Sequence, residues 1–497
     1  MTLPARLKEI KDRIEAHAKS RGLDFFETIF EIVDWKQMNE IAAYGGFPTR
    51  YPHWRFGMQY EQISKSYAYG LSKIYEMVIN NDPCYAYLLH GNKLVDQKLV
   101  MAHVYGHCDF FKNNSWFSHT NRKMMDEMAN HGTRVEKYID QYGVDAVENW
   151  IDTCLSLENL IDYHAPQIRR ERPSDRDPRD VADERTVIAQ KLRATNEYME
   201  EYINPPSFVE AQRERAQKER ERLTKFPPEP EKDVLKFLME HAPLANWKRD
   251  ILSIIREEAY YFAPQGQTKI MNEGWAVYWH SEIMKSVLDD SELIDYADHH
   301  SGTLYMQPGS LNPYKLGVEL FRHIEDRWNK GKFGKEYEEC DDYETKRNWN
   351  RQIGLGRNKI FDIRRIYNDV MFIDEFLTED FCREQKLFVY HYNKNNDRME
   401  IQSRQFGVIK KKLLFQLTNF GQPRIFVEDA NHSNRGELFL SHYHDGIDLQ
   451  LDYARETLHR VQMIWTRPVH IVTLLDEKKY LVSFDGKEIK EQYISES

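Results

Sequence analysis

Apolar residues recur at helical spacing over most of the first 380 positions. The spacing of three to four residues runs through residues 1–45, 58–165 and 234–378, and it predicts helices over all three stretches. Within the first stretch, residues 25–33 (FFETIFEIV) are expected to form a helix of their own. The run GGFPTRYPHW at residues 45–54 breaks the pattern, and its Gly and Pro content predicts a loop lined with aromatic side chains.

After about residue 385 the pattern changes to short apolar runs separated by turns such as residues 393–397. These runs predict strands at LFVYHY, RMEIQSR, KKLLFQL, RIFVEDA, GELFLSHYH, HIVTLL and KYLVSF. One longer amphipathic run, DLQLDYARETLHRVQMIW, predicts a helix among them. The sequence therefore predicts a mainly α protein, with a large helical domain over residues 1–384 and a small α+β domain over residues 385–497.

A change in composition interrupts the helical domain at about residues 165–230. The run RRERPSDRDPRDVADER is densely charged and contains prolines, and EAQRERAQKERER is typical of a solvated, charged helix. We interpret the segment as an exposed insertion or a long linker between two halves of one domain. An ordinary polar surface is the alternative interpretation.

Charge and cysteine content exclude several classes of protein. Lys and Arg total 69 against 80 Asp and Glu, a net charge of −11, so no general nucleic-acid binding is expected. No apolar run approaches the ~20 residues that span a bilayer, and the N-terminus lacks the apolar core of a signal peptide. The five cysteines are odd in number and form no CxxC pair, so neither a disulfide scaffold nor a thiolate zinc site is expected. The cytoplasm is the expected location.

Two histidines four residues apart form the first candidate for chemistry. His103 and His107 lie in MAHVYGHCDFF, where a helix would place both imidazoles on one face, about 5–6 Å apart. This spacing allows two imidazoles to bind one metal ion, as in the HExxH helix of zinc peptidases. Val104 occupies the position of the HExxH glutamate, so the pattern is incomplete. Two structural histidines are the alternative.

A carboxylate in an apolar helix is the second candidate. Glu273 lies in KIMNEGWAVYWHSEIM, where burying a carboxylate is costly unless a cation pairs with it. Two histidines and one glutamate leave a fourth metal position open, which is the catalytic zinc pattern. His280 falls two turns later on the same face, as a further ligand or a supporting group. A glutamate stabilised by a helix N-terminus is the alternative for Glu273.

A third group follows in DHHSG and the loop before PYKLG. His299 and His300 are adjacent, so one of them can face a site while the other packs. Pro313 suits the start of the next helix, and Tyr314 beside it could donate a phenolic hydrogen bond. A structural role is the alternative for either histidine.

A hydrolytic site without the HExxH glutamate needs a base from elsewhere. Glu258, or its neighbour Glu257, lies among aromatic residues where burial could raise a carboxyl pKa. Asp126, Glu127 and His131 are the reserve candidates. The chain contains no GxxxxGK[ST], GxGxxG or GxSxG motif, which argues against ATP-driven, nicotinamide-dependent and serine-hydrolase chemistry.

The motifs HVYGHCDFFKNN, MNEGWAVYWH, SGTLYMQPGSLNPYKLG and GGFPTRYPHWRFGM together resemble the SpoVR family, the stage V sporulation protein R proteins. The resemblance spans essentially the whole chain. It implies a link to spore cortex formation in spore-forming bacteria. The family also occurs in other bacteria, beside genes for a serine protein kinase and a von Willebrand-like companion, so these proteins are expected partners.

A remoter resemblance concerns mechanism. The order HxxxH, EGWAxY and PYKLG is similar to HExxH, EGWA and YxxG in helical zinc carboxypeptidases. This resemblance implies a zincin-like domain, metal ligation by His103, His107 and Glu273, and a transition-state hydrogen bond from Tyr314. Zinc is the expected metal, although manganese or iron would accept the same ligands.

Three functions follow as hypotheses. The first is a metal-dependent hydrolase of peptide or amide bonds, acting on a peptide or cell-wall-derived substrate, with Glu258, Tyr314 and His300 as catalytic candidates. The second is a non-catalytic, zincin-like binding or regulatory protein that acts with the kinase system, which the missing HExxH glutamate favours. The third is a purely structural sporulation factor.

Overall fold

The computed structural model describes residues 3–69, 73–168, 205–208, 210–214, 217, 225–394 and 396–494. Its chain divides into two compact units, residues 1–144 with 260–421 and residues 145–259 with 422–497. The expected insertion at 165–230 lies largely outside the described residues, as does much of its charged helix. Among the helices that the structure describes, none has the length and apolar character that a membrane crossing requires.

Helices form most of the first unit, and two of them, Leu94–Asn113 and Lys269–Val287, are buried on nearly every side. The helices of this unit are α1 (Ala5–Ser20), α2 (Trp35–Ala43), α3 (Trp54–Ala68), α4 (Leu94–Asn113), α5 (Met124–Tyr142), the last part of α8 (Asn246–Gln267), α9 (Lys269–Val287), α10 (Leu293–Thr303), α11 (Pro313–Lys330), α12 (Lys335–Glu338), α13 (Tyr343–Arg347), α14 (Gly356–Ile366), α15 (Asp369–Phe376), α16 (Glu379–Glu384) and α17 (Phe406–Leu417). Burial on all sides explains why α4 and α9 carry almost no polar face.

A small sheet lies in the same unit, in the order β1 (Thr28–Val33), β3 (Cys84–Leu89) and β2 (Glu76–Ile79). Strand β1 is parallel to β3, and β2 is antiparallel to it. The helical prediction was therefore wrong over residues 28–33, 76–79 and 84–89. Strand β3 is buried along most of its length, so it shows a nearly continuous apolar run without the alternation that marks a half-exposed strand.

The second unit combines helices with a five-stranded sheet. Its elements are α6 (Val144–Leu155, from its second residue), α7 (Val234–His241), the first part of α8, β6 (Arg424–His432), β7 (Glu437–Tyr443), α18 (Leu451–Trp465), β8 (Val469–Leu475), β9 (Lys478–Phe484) and β10 (Ile489–Tyr493). The strand order is β10-β9-β8-β7-β6, with β7 and β8 parallel and the other pairs antiparallel. Glu231 adds a bridge to Val427 of β6.

The predicted fold class, mainly helical with a sheet-containing C-terminal part, is confirmed at this level. Strands also form at LFVYHY and RMEIQSR, as the hairpin of β4 (Val389–Asn393) and β5 (Arg398–Ser403) in the first unit. The prediction of a strand at KKLLFQL was wrong, because these residues belong to α17. Ile409, Leu413 and Leu417 recur every four residues and pack on the first unit's core, which is a helical pattern.

Candidate metal centre

The candidate site lies where α4 crosses α9. A Cβ on Gly106 would come within 2.7 Å of Cα of Ala276, so the two helices approach as closely as their backbones allow. The indole N–H of Trp275 donates to Asp109 Oδ2 over 2.8 Å and links the same two helices. This close crossing brings the histidine face of α4 against the carboxylate of α9.

The three ligands predicted from the sequence come together at this crossing. Nε2 of His103 lies 3.0 Å from Nε2 of His107, as expected for neighbours one helical turn apart. Glu273 Oε2 lies 3.6 Å from the first of these nitrogens and 3.5 Å from the second. All three side chains are buried, and one possible ligand atom from each lies within 4.8 Å of the other two.

The donor set fits a bound cation. Glu273 is 7% exposed, yet its Oε2 has no hydrogen-bond partner within the described part of the chain. Its other oxygen accepts from Lys269 Nζ over 2.8 Å. A buried carboxylate oxygen without a donor is rare, and two imidazole nitrogens beside it complete a three-residue metal site.

Hydrogen bonds behind the histidines determine which nitrogens face the site. Nδ1 of His107 donates to Oδ1 of Asn272 over 2.9 Å, which leaves Nε2 with its lone pair. Nδ1 of His103 lies 3.1 Å from Nδ1 of His280, whose Nε2 lies 3.1 Å from Nδ1 of His300. If Nε2 of His103 is a ligand, its Nδ1–H donates to His280, and His280 donates onward to His300. His280 is therefore a supporting group behind His103.

Electrostatics favour the ligating forms of His103 and Glu273. Burial and the neighbouring His107 lower the pKa of His103 to about 4, so this imidazole is neutral. Burial alone would raise the pKa of Glu273, but the two histidines and Lys269 more than offset it and hold the pKa well below its usual range. Neutral imidazole and ionised carboxylate are the forms that bind metals. Burial alone would lower the pKa of His107, but Glu273, Asn272 and Glu76 raise it, so a cation would compete with a proton at this imidazole.

Tyr314 lies at the edge of the same site. Asn312 caps α11 by accepting the backbone N–H groups of Tyr314 and Lys315, with Pro313 at the first helical position as predicted. The Tyr314 ring stacks near His103, with 6.2 Å between ring centroids. Burial, followed by the charges of Glu273 and Glu76, raises the pKa of Tyr314, so its hydroxyl stays protonated and able to donate.

Glu76, the first residue of β2, is a further residue of the site that the sequence patterns do not single out. Burial, reinforced by the charge of Glu273 and opposed by His107, raises the pKa of Glu76 to about 7. The half-buried Glu76 carboxylate thus interacts electrostatically with two of the three candidate ligands. A carboxylate in the apolar run IYEMVI was the available signal, but the helical interpretation of this run concealed it.

The remaining predicted residues have distinct positions. His299 Nδ1 lies 2.8 Å from Asp96 Oδ1, so the adjacent histidines 299 and 300 do face different partners. Glu258 is buried on the part of α8 in the second unit, and its role as a base stays a prediction. On α5, the reserve candidates are exposed (Asp126), half-buried (Glu127) and buried (His131).

A carboxylate from another helix holds the start of α9. Thr268 precedes the helix without a side-chain cap, and Asp369 of α15 instead accepts the backbone N–H groups of Ile270 and Met271 over 2.7 and 2.9 Å. Two otherwise unpaired N–H groups of the helix end are thereby satisfied. Asp369 thus fixes the first turn of the helix that carries Glu273.

Comparison with known proteins defines the class. A family model described as SpoVR like protein matches residues 2–422, and a model described as SpoVR-like C-terminal domain matches residues 423–476. The chain belongs to the SpoVR family, as its motifs predicted. It is similar to the protein YcgB of Escherichia coli (strain K12), with 33% identity over 331 residues, which cover 63% of this chain and 62% of YcgB. No solved structure matches the chain.

Proposed function

We propose that this SpoVR family protein is a metal-dependent hydrolase of peptide or amide bonds on a zincin-like scaffold. The observation that carries the proposal is the buried Oε2 of Glu273, which has no hydrogen-bond donor among the residues that the structure describes and faces Nε2 of both His103 and His107. Three such ligands leave a coordination position open, which is typical of catalytic rather than structural zinc sites. Zinc fits this donor set best, and manganese or iron would accept it.

A bound divalent ion would polarise the scissile carbonyl and lower the pKa of a water molecule. The protein supplies the other groups. The protonated Tyr314 hydroxyl donates to the carbonyl oxygen as negative charge develops on it. His280 and His300 hold the His103 ring in the orientation that presents Nε2.

Cleavage also needs a base that takes one proton from the attacking water and returns it to the leaving nitrogen. Glu76 is the stronger candidate, because its pKa of about 7 suits proton exchange near neutral pH and its carboxylate interacts with His107 and Glu273. Glu258, nominated by the sequence, is the second candidate.

A non-catalytic zincin-like regulatory protein acting with a serine kinase system is the alternative. The observation that favours it is Val104, which occupies the position of the HExxH glutamate and is fully buried in the apolar core. This alternative keeps the metal site and its supporting hydrogen bonds but predicts no turnover.

Substrate, partners and compartment are part of the proposal. The family resemblance supports a cell-wall-derived peptide, linked to spore cortex metabolism, as the substrate. It also supports a serine protein kinase and a von Willebrand-like protein as partners. All five cysteines are free thiols, which suits the reducing cytoplasm.

Metal analysis of the purified protein tests the first half of the proposal. We expect about one divalent ion per chain in the wild type and a near-complete loss in His103→Ala, because removing one of three ligands leaves too few. His90→Ala is the matched control, since His90 is an exposed histidine at the end of β3. A wild type without metal after purification with added zinc would contradict the metal site.

Turnover of peptide and cell-wall-fragment libraries, read by mass spectrometry, tests the second half. We expect Glu76→Gln to lower kcat by roughly 10²–10⁴-fold with metal content intact. Loss of activity in Glu258→Gln instead would assign the base to Glu258. A metal-loaded wild type that cleaves neither library would replace the hydrolase with the regulatory alternative.

A further inference from the structure

A cavity of about 650 Å³ lies in the first unit beside the start of α11. It is bounded by the loop at residues 304–312, by β4 with the residues before it, and by α17. Its apolar walls are formed by Leu304, Met306, Leu387, Phe388, Ile409 and Leu413. The volume falls in the range of cavities that hold small molecules or short peptide segments, about 300–1,000 Å³.

Three lysines line this cavity from three different elements. Lys315 comes from α11, Lys386 from the segment before β4, and Lys412 from α17. Within the described residues, none of the three has a carboxylate at ion-pair distance. The acid in the lining, Glu319, pairs with Arg322 over 2.9 Å. The cavity is therefore positively charged, whereas the whole protein has a net charge of −11. Anions are attracted to this cavity and not to the surface in general.

The cavity adjoins the candidate metal centre through consecutive residues. Tyr314 stacks near His103, and Lys315, the next residue, lines the cavity. His300 hydrogen-bonds to His280, and Ser301, which follows it, also lines the cavity. The candidate site and the cavity therefore share two segments of the first unit, the end of α10 and the first turn of α11, although Tyr314 and His300 do not themselves line the cavity.

We propose that this cavity is the specificity subsite for an acidic peptide, in which an apolar side chain packs on the walls and carboxylates face Lys315, Lys386 and Lys412. The inference rests on the proposed hydrolase for its place beside the cleaved bond, but its binding step does not need turnover. Lysine ammonium groups act as point charges without a fixed geometry, so they suit carboxylates on flexible peptide side chains.

Fluorescence anisotropy with the full-length protein tests the proposal. The probes are dansyl-Gly-Phe-Glu-Glu with a free C-terminus and dansyl-Gly-Phe-Gln-Gln-amide, which match in size and differ in charge. We expect the acidic probe to bind roughly tenfold tighter, equivalent to about 1.4 kcal/mol, and to lose this advantage near 1 M salt, where the Debye length is about 3 Å. Equal affinities at low salt would overturn the proposal.

Lysine variants locate the binding. The triple variant Lys315→Gln, Lys386→Gln, Lys412→Gln should bind both probes equally. Lys410→Gln is the matched control, since Lys410 is on the same helix as Lys412 but pairs with Asp374 over 2.7 Å. If the triple variant fails to fold, the single variants Lys386→Gln and Lys412→Gln replace it, because both residues are exposed. Each single variant should weaken binding of the acidic probe and leave binding of the neutral probe unchanged. An unchanged preference in the variants, or its loss in Lys410→Gln, would place the binding elsewhere.

The outcomes separate the subsite from the hydrolase. Preferential binding of the acidic probe without cleavage of any library would remove the hydrolase and keep the subsite. Cleavage of acidic and neutral peptides with equal kcat/KM would keep the hydrolase and remove the subsite.

Discussion

Gly274 of α9 lies directly against Gly317 of α11: a Cβ on Gly274 would come within 2.4 Å of the Gly317 Cα. A Cβ on Gly317 would likewise come within 2.1 Å of the backbone oxygen of Ile270. The two helices therefore pack backbone to backbone, next to Glu273 on one helix and three residues from Tyr314 on the other. The helices that carry Glu273, a candidate ligand, and Tyr314, a candidate hydrogen-bond donor, can approach this closely because neither glycine carries a side chain.

We expect Gly274→Ala to separate α9 from α11 and to weaken the metal site. Overpacking of this kind costs about 1–3 kcal/mol of unfolding free energy, and the metal affinity should fall with it. Chemical denaturation and metal titration measure the two effects. Gly57→Ala in α3 is the control, because its Cβ would meet nothing within 4 Å and alanine favours a helix. Unchanged metal affinity in Gly274→Ala would show that the close approach does not position the ligands.

Asn272 is expected to act on the metal through His107. Its Oδ1 accepts from Nδ1 of that ring, and loss of such a partner typically lowers metal affinity about 10–100-fold. We therefore expect Asn272→Leu to weaken metal binding by this factor and Asn272→Asp, which keeps an acceptor, to retain it. Competition with a chelator of known affinity measures the difference. Equal affinities in the two variants would remove Asn272 from the support of the site.

Part of this site could be predicted from local patterns. The i,i+4 spacing of His103 and His107 survives any packing, because it depends on one helix alone. Glu273 could be found because a carboxylate in an apolar, aromatic helix needs a cation. Asn272 could not be predicted as a site residue, because its contact with His107 exists only where α4 crosses α9.

The missed features depend on pairing and packing between elements. Glu76 lies in a four-residue strand whose pairing partner begins eight positions later, and a short apolar run does not distinguish strand from helix. Asp369 caps a helix that starts 100 residues earlier in the chain. No local pattern reports such a contact.

Asp369 should make the stability of the first unit depend on pH. Burial raises its pKa from 3.8 to about 7, although the N–H groups of Ile270 and Met271 oppose the shift. Between these two values the folded state holds a proton that the unfolded state releases. The unfolding free energy should therefore fall as pH rises from about 4 to about 7, by at most about 1.4 kcal/mol per pH unit.

Urea denaturation at several pH values, in wild type and Asp369→Asn, measures this contribution. Other groups titrate in the same range, so the difference between the two proteins is the informative quantity. The amide cannot ionise and still accepts one N–H, so the variant should lose stability less steeply with rising pH. Parallel pH profiles would show that Asp369 is already ionised in the folded protein.

Two truncations decide where the helical part of the chain ends. Composition predicts a boundary near residue 385, yet Leu387, Val389 and Ile409 are buried in the same core as α4 and α9, which carry the candidate ligands. Burying each such side chain contributes about 1.5–3 kcal/mol, so losing three removes an amount comparable with the whole stability of a typical domain, about 5–15 kcal/mol. We expect a chain ending at Gly421 to keep its metal and one ending at Glu384 to lose both metal and solubility. Both truncations remove the C-terminal sheet, so their difference isolates residues 385–421. A soluble, metal-loaded chain ending at Glu384 would instead support the boundary that composition predicts.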